Sequence, residues 1–401
     1  MKKVLVVGGG DYQLPLIKRI MELGHEAYCV DKNPHAPGFV HATGYKCLDV
    51  LDYQGCLQYA KELNIQAVMT YGATLTLPTV SFIGKALGLS ALPEETAKIS
   101  QNKYKIKKCL WDADCNIEGD FCEFSDINTA MAYNYTYPCV IKPCDGSGSK
   151  GVSIVYSSQE LKTALDYAFT AARYSQVYVE AFISGEEYSV ETFVSESQVY
   201  IYAIVKTTFR REASGEISYG HRVPSGLDAV QEKLIAEEVS KAIHALGVSM
   251  GSVNFDVIIS EKDQKPYIID CGIRVGQNLI GSHLVPLSRG VCVLDNTIAQ
   301  ALGESVDATP KFEKCIATRL LIYRPGIIKK IRPLMDLKGK KSIVDIVIRK
   351  QVGERLNPYK EKSDTCGWVI ACGATPDEAE SNAANAKELL KDYIIIEPFE
   401  E

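Results

Sequence analysis

The sequence has no surplus of positive charge. Its 44 Lys and Arg are set against 50 Asp and Glu, a formal net charge of −6 over 401 residues. That excludes a diffuse attraction for nucleic acid, so any phosphate binding must be built locally. Long apolar runs are also missing. Val4-Leu5-Val6-Val7 gives way to Gly8-Gly9-Gly10 and Asp11, which is too short for the apolar region of a signal peptide. Nothing approaches the roughly 20 residues of a membrane-spanning helix, so no membrane partner is expected. Cysteine is present 13 times, but Cys-x-x-Cys pairs and zinc-like Cys/His spacings are absent. An odd number scattered through strand-like runs, as at Cys29, Cys139 and Cys271, predicts buried reduced thiols and a cytoplasmic setting. Internal repeats and low-complexity segments are lacking too. What remains is ordinary for a globular chain, 46% hydrophobic and 23% charged, with length for about two to three domains.

The stretch richest in chemistry is Pro138–Tyr156, PCVIKPCDGSGSKGVSIVY. Val140 and Ile141 end an apolar strand with Lys142 at its mouth, and Pro143 stops the ladder because it has no N–H to donate. Residues 145–151 are almost all small. Such a loop brings backbone N–H groups and the hydroxyls of Ser147 and Ser149 against an anion without Cβ clashes. The exit, Val152–Tyr156, is β-like. A Walker-type loop needs GxxxxGK[ST] opening a helix, and neither the spacing nor the helix is here. The stretch therefore predicts a glycine-rich flap between two strands.

Around it the chain punctuates clearly. Residues 1–93 alternate strand and helix, predicting a small doubly wound α/β domain. Its Gly8-Gly9-Gly10 turn and Asp31 are similar to a dinucleotide fingerprint, but Gln13 stands where the third glycine belongs, so a scaffold role is expected. A basic helix with Lys103 follows. Ser157 and Glu160 open a helix to about Ala172 in capping-box style. Glu180 and Glu187 flank a bend at Gly185, and alternating residues 188–206 predict a hairpin. A helix over 231–247 precedes two strands, Asn254–Ile259 and Tyr267–Ile269. These carry Asp256 and Asp270, with Arg274 just beyond. Paired strand carboxylates near a phosphate loop suit a hard divalent cation that takes its other oxygens from phosphate. Residues 315–397 predict a small α+β unit.

In this order the pieces resemble the ATP-grasp superfamily, over roughly residues 1–300. The tail resembles that of the subgroup containing L-amino acid ligases and single-copy carbamoyl-phosphate-synthase-like proteins. The resemblance implies an α/β and α+β fold. Its parts are a Rossmann-like domain at 1–93, an ATP-grasp domain at 94–310 with a lid at about 116–178, and a C-terminal α+β domain at 311–401. It implies ATP and Mg²⁺ or Mn²⁺ as cofactors, small carboxylate and amine substrates, and a homodimer. Residue by residue, it puts Lys103 and Lys142 on the nucleotide. Ser147, Gly148, Ser149 and Gly151 become the flap. Glu180, Ala181 and Phe182 become the adenine linker, and Glu187 the ribose partner. Asp256 and Asp270 become metal ligands, Arg274 the clamp on the transferring group, and Lys206 a further phosphate or substrate contact. The activity implied is carboxylate–amine (or carboxylate–thiol) ligation through an acyl-phosphate, with release of ADP and phosphate. Carboxylation with bicarbonate and an ATP-binding module of little turnover stand as alternatives, as does, outside the resemblance, an NAD-linked oxidoreductase. The family's E-x-N-x-R reads Asp270-Cys271-Gly272-Ile273-Arg274 here, so a weaker hold on a second metal is expected.

Overall fold

The computed structural model describes residues 1–401 apart from 147, 149, 213–214, 278, 360–363 and 400–401, and, for side chains, 211–216. Ser147 and Ser149 of the expected flap lie outside the described residues.

The N-terminal unit runs β1 (Lys3–Val7), α1 (Leu14–Glu22), β2 (Glu26–Asp31), β3 (Gly44–Cys47), α2 (Tyr53–Leu63), β4 (Ala67–Met69) and α3 (Leu77–Leu87). The strands are parallel in the order β3-β2-β1-β4. Val4 and Val6 face α1, while Leu5 and Val7 face α2 and α3, as strands covered on both sides require. The glycine turn is closed by its own neighbours. The Gly9 N–H donates to Asp31 Oδ2 (2.9 Å) and the Asn33 N–H to Asp31 Oδ1 (2.9 Å). The Gln13 side chain lies against Gly8 and donates to the Tyr71 carbonyl at 2.7 Å. Both carboxylate oxygens of Asp31 are thus engaged in holding the turn.

Two short helices, α4 (Glu94–Ile99) and α5 (Lys103–Asp112), lead into a lid. The lid comprises β5 (Phe121–Phe124), α6 (Ile127–Met131), β6 (Cys139–Pro143), β7 (Ser153–Val155), α7 (Ser158–Ala171) and β8 (Val177–Ala181). Its antiparallel sheet has the order β5-β8-β6-β7 over a core with Leu161, Leu165 and Ala168 of α7. The strand–loop–strand reading of the glycine stretch corresponds to β6 and β7. The cap of α7 differs from expectation. Ser157 makes no side-chain cap bond, and Glu160 instead accepts the Tyr156 N–H at 2.8 Å.

The body is built from β9 (Gly185–Ser195), β10 (Gln198–Glu212), β11 (Gly215–Val223), α8 (Ala229–Ala245), β12 (Gly251–Ser260) and β13 (Pro266–Gly272). A π-helical turn at Ile280–Leu284 leads to α9 (Val285–Arg289) and α10 (Val293–Ala301). The remainder is β14 (Cys315–Leu320), β15 (Gly326–Ile331), α11 (Met335–Lys338), β16 (Ile343–Ile348), β17 (Arg355–Leu356), β18 (Gly367–Gly373), α12 (Pro376–Leu390) and β19 (Ile394–Pro398). The boundary expected near residue 310 is crossed by one sheet of eight strands, β13-β12-β9-β10-β11-β14-β18-β16. Only β15, β17 and β19 form a separate sheet. The other expected boundary is bridged too, because Ile298 and Ala301 of α10 complete the core on the α1 face of the N-terminal sheet. Among the described residues no helix is long and apolar enough to cross a membrane.

Candidate functional site

On β12, Val253, Phe255 and Val257 enter the core shared with α5 and α8. Alternation turns Ser252, Asn254 and Asp256 to the opposite face. Register puts Asp256 beside Asp270 of β13 and Ser189 of β9, and Asn254 beside Gly272 and Glu191. This face of the body meets the lid through charged side chains.

Three of these are lysines. Lys103 and Lys107 stand one turn apart on α5, whose Asn102 caps it by accepting the Lys105 N–H at 2.9 Å. Lys103 pairs with both oxygens of Asp270, and Lys107 with Glu180 Oε2. From the end of β6, Lys142 reaches Glu180 Oε1 at 2.5 Å and the Ile269 carbonyl at 3.2 Å. Glu180 is 3% exposed. Burial alone would raise its pKa, but Lys142 and Lys107 outweigh that and hold it below the usual carboxylate range. Burial lowers Lys107. It acts on Lys142 the same way but is overcome by Glu180 and Asp270, leaving Lys142 raised.

The two strand carboxylates are unequal. Burial would raise Asp270, and Lys103 and Lys142 reverse this. Asp256 is raised by burial and then by Asp270, with a Ser189 hydroxyl donating at 3.1 Å. Asp256 and Asp270 are cross-strand partners, with Cβ atoms about 5 Å apart, so two oxygen-donor carboxylates stand side by side. The donor set therefore fits a hard divalent cation. Among the described residues no three His, Cys, Asp or Glu converge. Such a cation would complete its shell with phosphate and water oxygens.

Arg274 follows β13, its Nη1 donating to the Val275 carbonyl at 2.8 Å. Beside it Glu191 is fully buried. Its Oε2 accepts the Gly276 N–H at 2.7 Å and an Asn254 amide hydrogen at 3.3 Å, while Oε1 has no partner among the described residues. Burial pushes its pKa up to about 8, against the Gly276 bond and the Arg274 charge. A Cβ added at Gly276 would fall 2.4 Å from Glu191 Oε2 and 2.9 Å from Asn254 Nδ2, so a side chain there would displace this pair.

The structure thus brings Lys103, Lys142, Glu180, Asp256, Asp270 and Arg274 to one region. Glu187 joins them from the same face of β9, its charge favouring the charged form of Lys142. Gly148 and Gly151 sit in the β6–β7 loop with φ of +65° and +79°, the left-handed region where glycine is at no disadvantage. One of the expected residues is placed otherwise than the resemblance implied, and two have their N–H groups engaged within the lid. The Ala181 N–H is bonded to the Asp120 carbonyl (3.1 Å) and the Phe182 N–H to the Pro138 carbonyl (3.3 Å). Lys206 pairs in register with Tyr188, a residue of the α8-side core, and its ammonium binds Glu186 at 2.7 Å. It therefore lies on the far face of the sheet from Asp256. Sequence reasoning missed Lys107, Asn254 and Glu191. Lys107 is four residues from Lys103 and so shares its helix face. Asn254 and Glu191 were visible only as same-face positions two residues from Asp256 and Ser189.

The ATP-grasp domain family matches residues 100–276, and the family described as L-amino acid ligase C-terminal domain 2 matches residues 319–392. A formate-dependent phosphoribosylglycinamide formyltransferase of Corynebacterium glutamicum is 29% identical over 188 residues. That match covers 45% of this chain and 46%, about half, of the relative. Among solved structures, an L-amino acid ligase from Bacillus licheniformis aligns with a TM-score of 0.83 at 21% identity, covering 100% of this chain and 99% of the other. A phosphoribosylglycinamide synthetase from Anaerococcus prevotii aligns with a TM-score of 0.76 at 23% identity, covering 99% and 100%.

Proposed function

We propose, from the match of residues 100–276 to the ATP-grasp domain family and of residues 319–392 to the L-amino acid ligase C-terminal domain 2 family, that the chain is an ATP-dependent carboxylate–amine ligase. The observation that carries the reading is the convergence of Lys103, Asp256, Asp270 and Arg274 on Lys142, at the end of the strand that leads into the glycine loop. The nucleotide lies between lid and body, its phosphates within reach of Lys103 and Lys142 and under the loop with Gly148 and Gly151. Asp256 and Asp270 hold Mg²⁺, which when bound neutralises phosphate charge.

A carboxylate oxygen of the first substrate attacks the γ-phosphorus, and the bond to the ADP oxygen breaks, giving an acyl-phosphate and ADP. The amine nitrogen then attacks the acyl carbon, inorganic phosphate leaves, and a proton is lost from nitrogen. The chain aligns the groups and spreads the charge, with Arg274 as the fixed cation at the acyl end. The closed lid keeps water from the acyl-phosphate. The 13 unpaired cysteines support a reducing, cytoplasmic setting, and a homodimer belongs to the same proposal.

The test is ADP and phosphate release with a panel of small carboxylates and amines in Mg²⁺. One ADP and one phosphate per condensed product are expected, and AMP with pyrophosphate would overturn the mechanism. Lys142→Ala should raise the KM for ATP at least about tenfold, equal to ~1.4 kcal/mol, while Asp31→Ala leaves it within about twofold. The reverse ranking would move the nucleotide to the N-terminal unit.

A further inference from the structure

A cleft of about 690 Å³, its mouth included, runs between the β4 edge of the N-terminal sheet and the start of β12. Its walls are mostly apolar, with Leu77, Val80, Ala91, Leu92 and Met250, and Arg274 lines one part of it. Hydroxyl-bearing residues interrupt the apolar lining, Thr70, Tyr71, Ser90 and Thr297 among them, and two more are buried. Ser81 is 1% exposed and Ser252 9%, and neither Oγ has a hydrogen-bond partner among the described residues. A helical serine ordinarily bonds back to the carbonyl four residues earlier. Ser240 and Ser288 in this chain do so, to Ala236 and Leu284, both at 2.6 Å. Ser81 of α3 does not. Buried hydroxyls left without partners are costly, and here two of them line one cavity.

The strand pattern connects this cavity to the chemistry. Asp256, Asn254 and Ser252 project from the same face of β12 at successive steps of about 7 Å. Asp256 is at the proposed metal edge, Asn254 is the cross-strand partner of Gly272 beside Arg274, and Ser252 is in the cleft. A molecule with its carboxylate at Arg274 therefore has its body directed along apolar walls toward the hydroxyls.

We infer that this cleft seats the body of the carboxylate substrate and selects a short aliphatic acid, of about five carbons on the 7 Å strand step, bearing a hydrogen-bonding group at its far end. The inference rests on the ligase reading above.

The test uses hydroxylamine as the amine, so that any acyl-phosphate is trapped as a hydroxamate while phosphate leaves. Acetate, pentanoate and 5-hydroxypentanoate are compared. The hydroxy acid should exceed pentanoate in kcat/KM by about tenfold or more, equivalent to ~1.4 kcal/mol. Ser81→Ala and Ser252→Ala should each reduce that ratio several-fold. Leu92→Trp should depress both five-carbon acids at least tenfold and spare acetate, with ATP affinity by calorimetry within twofold of the parent. A ratio near one, a ratio untouched by both alanine variants (hydroxyls serving water alone), or a Leu92→Trp loss equal for acetate would overturn the inference with the ligase reading intact. Absence of hydroxamate from every acid would sink the ligase reading instead. The cleft is then judged by titrating 5-hydroxypentanoate into protein loaded with Mg·ADP. Binding heat that Leu92→Trp abolishes supports the cleft, and its absence refutes it.

Discussion

Glu180 and Glu191 are both buried carboxylic acids, and their surroundings give them opposite characters. Glu180 lies between Lys107 and Lys142 and stays ionised. Removing a partner from such a buried set leaves an uncompensated charge. Glu191 has two N–H donors, no ion pair, and a pKa raised to about 8. The sign of its effect follows from proton counting. Between about pH 4.5 and 8 the unfolded chain has lost this proton and the folded chain keeps it, so stability falls as pH rises through that window. Glu191→Gln should therefore flatten the pH dependence and gain on the parent, by on the order of a few kcal/mol, at pH 8 but not at pH 4.5. Urea unfolding at the two pH values measures it, and an equal effect at both would refute the assignment. At this scale the sequence was only partly legible. Lys142 stood out because a cation at a strand mouth before a glycine loop is unusual. Lys107 did not, since a lysine on a basic helix reads as solvated until burial, 5% exposed here, shows otherwise.

Among elements, the β6–β7 hairpin and its loop are the most demanding of particular residues. Gly151 combines φ +79° with a place where a Cβ would lie 2.6 Å from Ala171 Cβ. A side chain there strains the backbone and pushes on α7. Gly151→Val should raise the KM for ATP about tenfold, ~1.4 kcal/mol, and leave far-UV circular dichroism near that of the parent. An unchanged KM would show that the loop does not act on the nucleotide. The hairpins β6–β7, β9–β10 and β12–β13 were readable because alternation and glycine or charged turns are local signals. The Ser157 cap was misread because Glu160 satisfied the Tyr156 N–H while the serine side chain made no cap bond. The closed amides of Ala181 and Phe182 depend on β8 meeting residues 120 and 138, long-range pairings that no local pattern encodes.

At the scale of the molecule, chain order and spatial order part company. The tail was expected as a small α+β domain of its own, and β14 pairs with β11 and carries β18 and β16 into the central sheet. Strand pairing between positions as distant in sequence as Gly220 and Arg319 is set by which edge is open, and sequence patterns give the faces of a strand but not its neighbour. A chain ending at residue 310 would expose the β11 edge and lose the ties of Arg222 to Asp377 and of Thr208 to Glu380. It should aggregate, read as loss of soluble yield and rise of light scattering. A monomeric 1–310 fragment that binds ATP would contradict the role given to the shared sheet.

The packing of α10 on the N-terminal sheet has a consequence for timing. Arg19 grips Asp295 through two bonds of 2.6 and 2.9 Å, and Lys2 holds the Leu302 carbonyl, so the two walls of the acyl cleft are bolted into one unit. The lid carries its own core and meets the body through polar contacts such as Lys107–Glu180 and Lys142–Ile269. On the ligase reading proposed above, a fixed gauge on one side and a separately packed cover on the other would put selection of the acid ahead of closure. An ill-fitting acid would be turned away while the nucleotide is still whole, and futile cleavage would be limited by the order of events rather than by a second proofreading site.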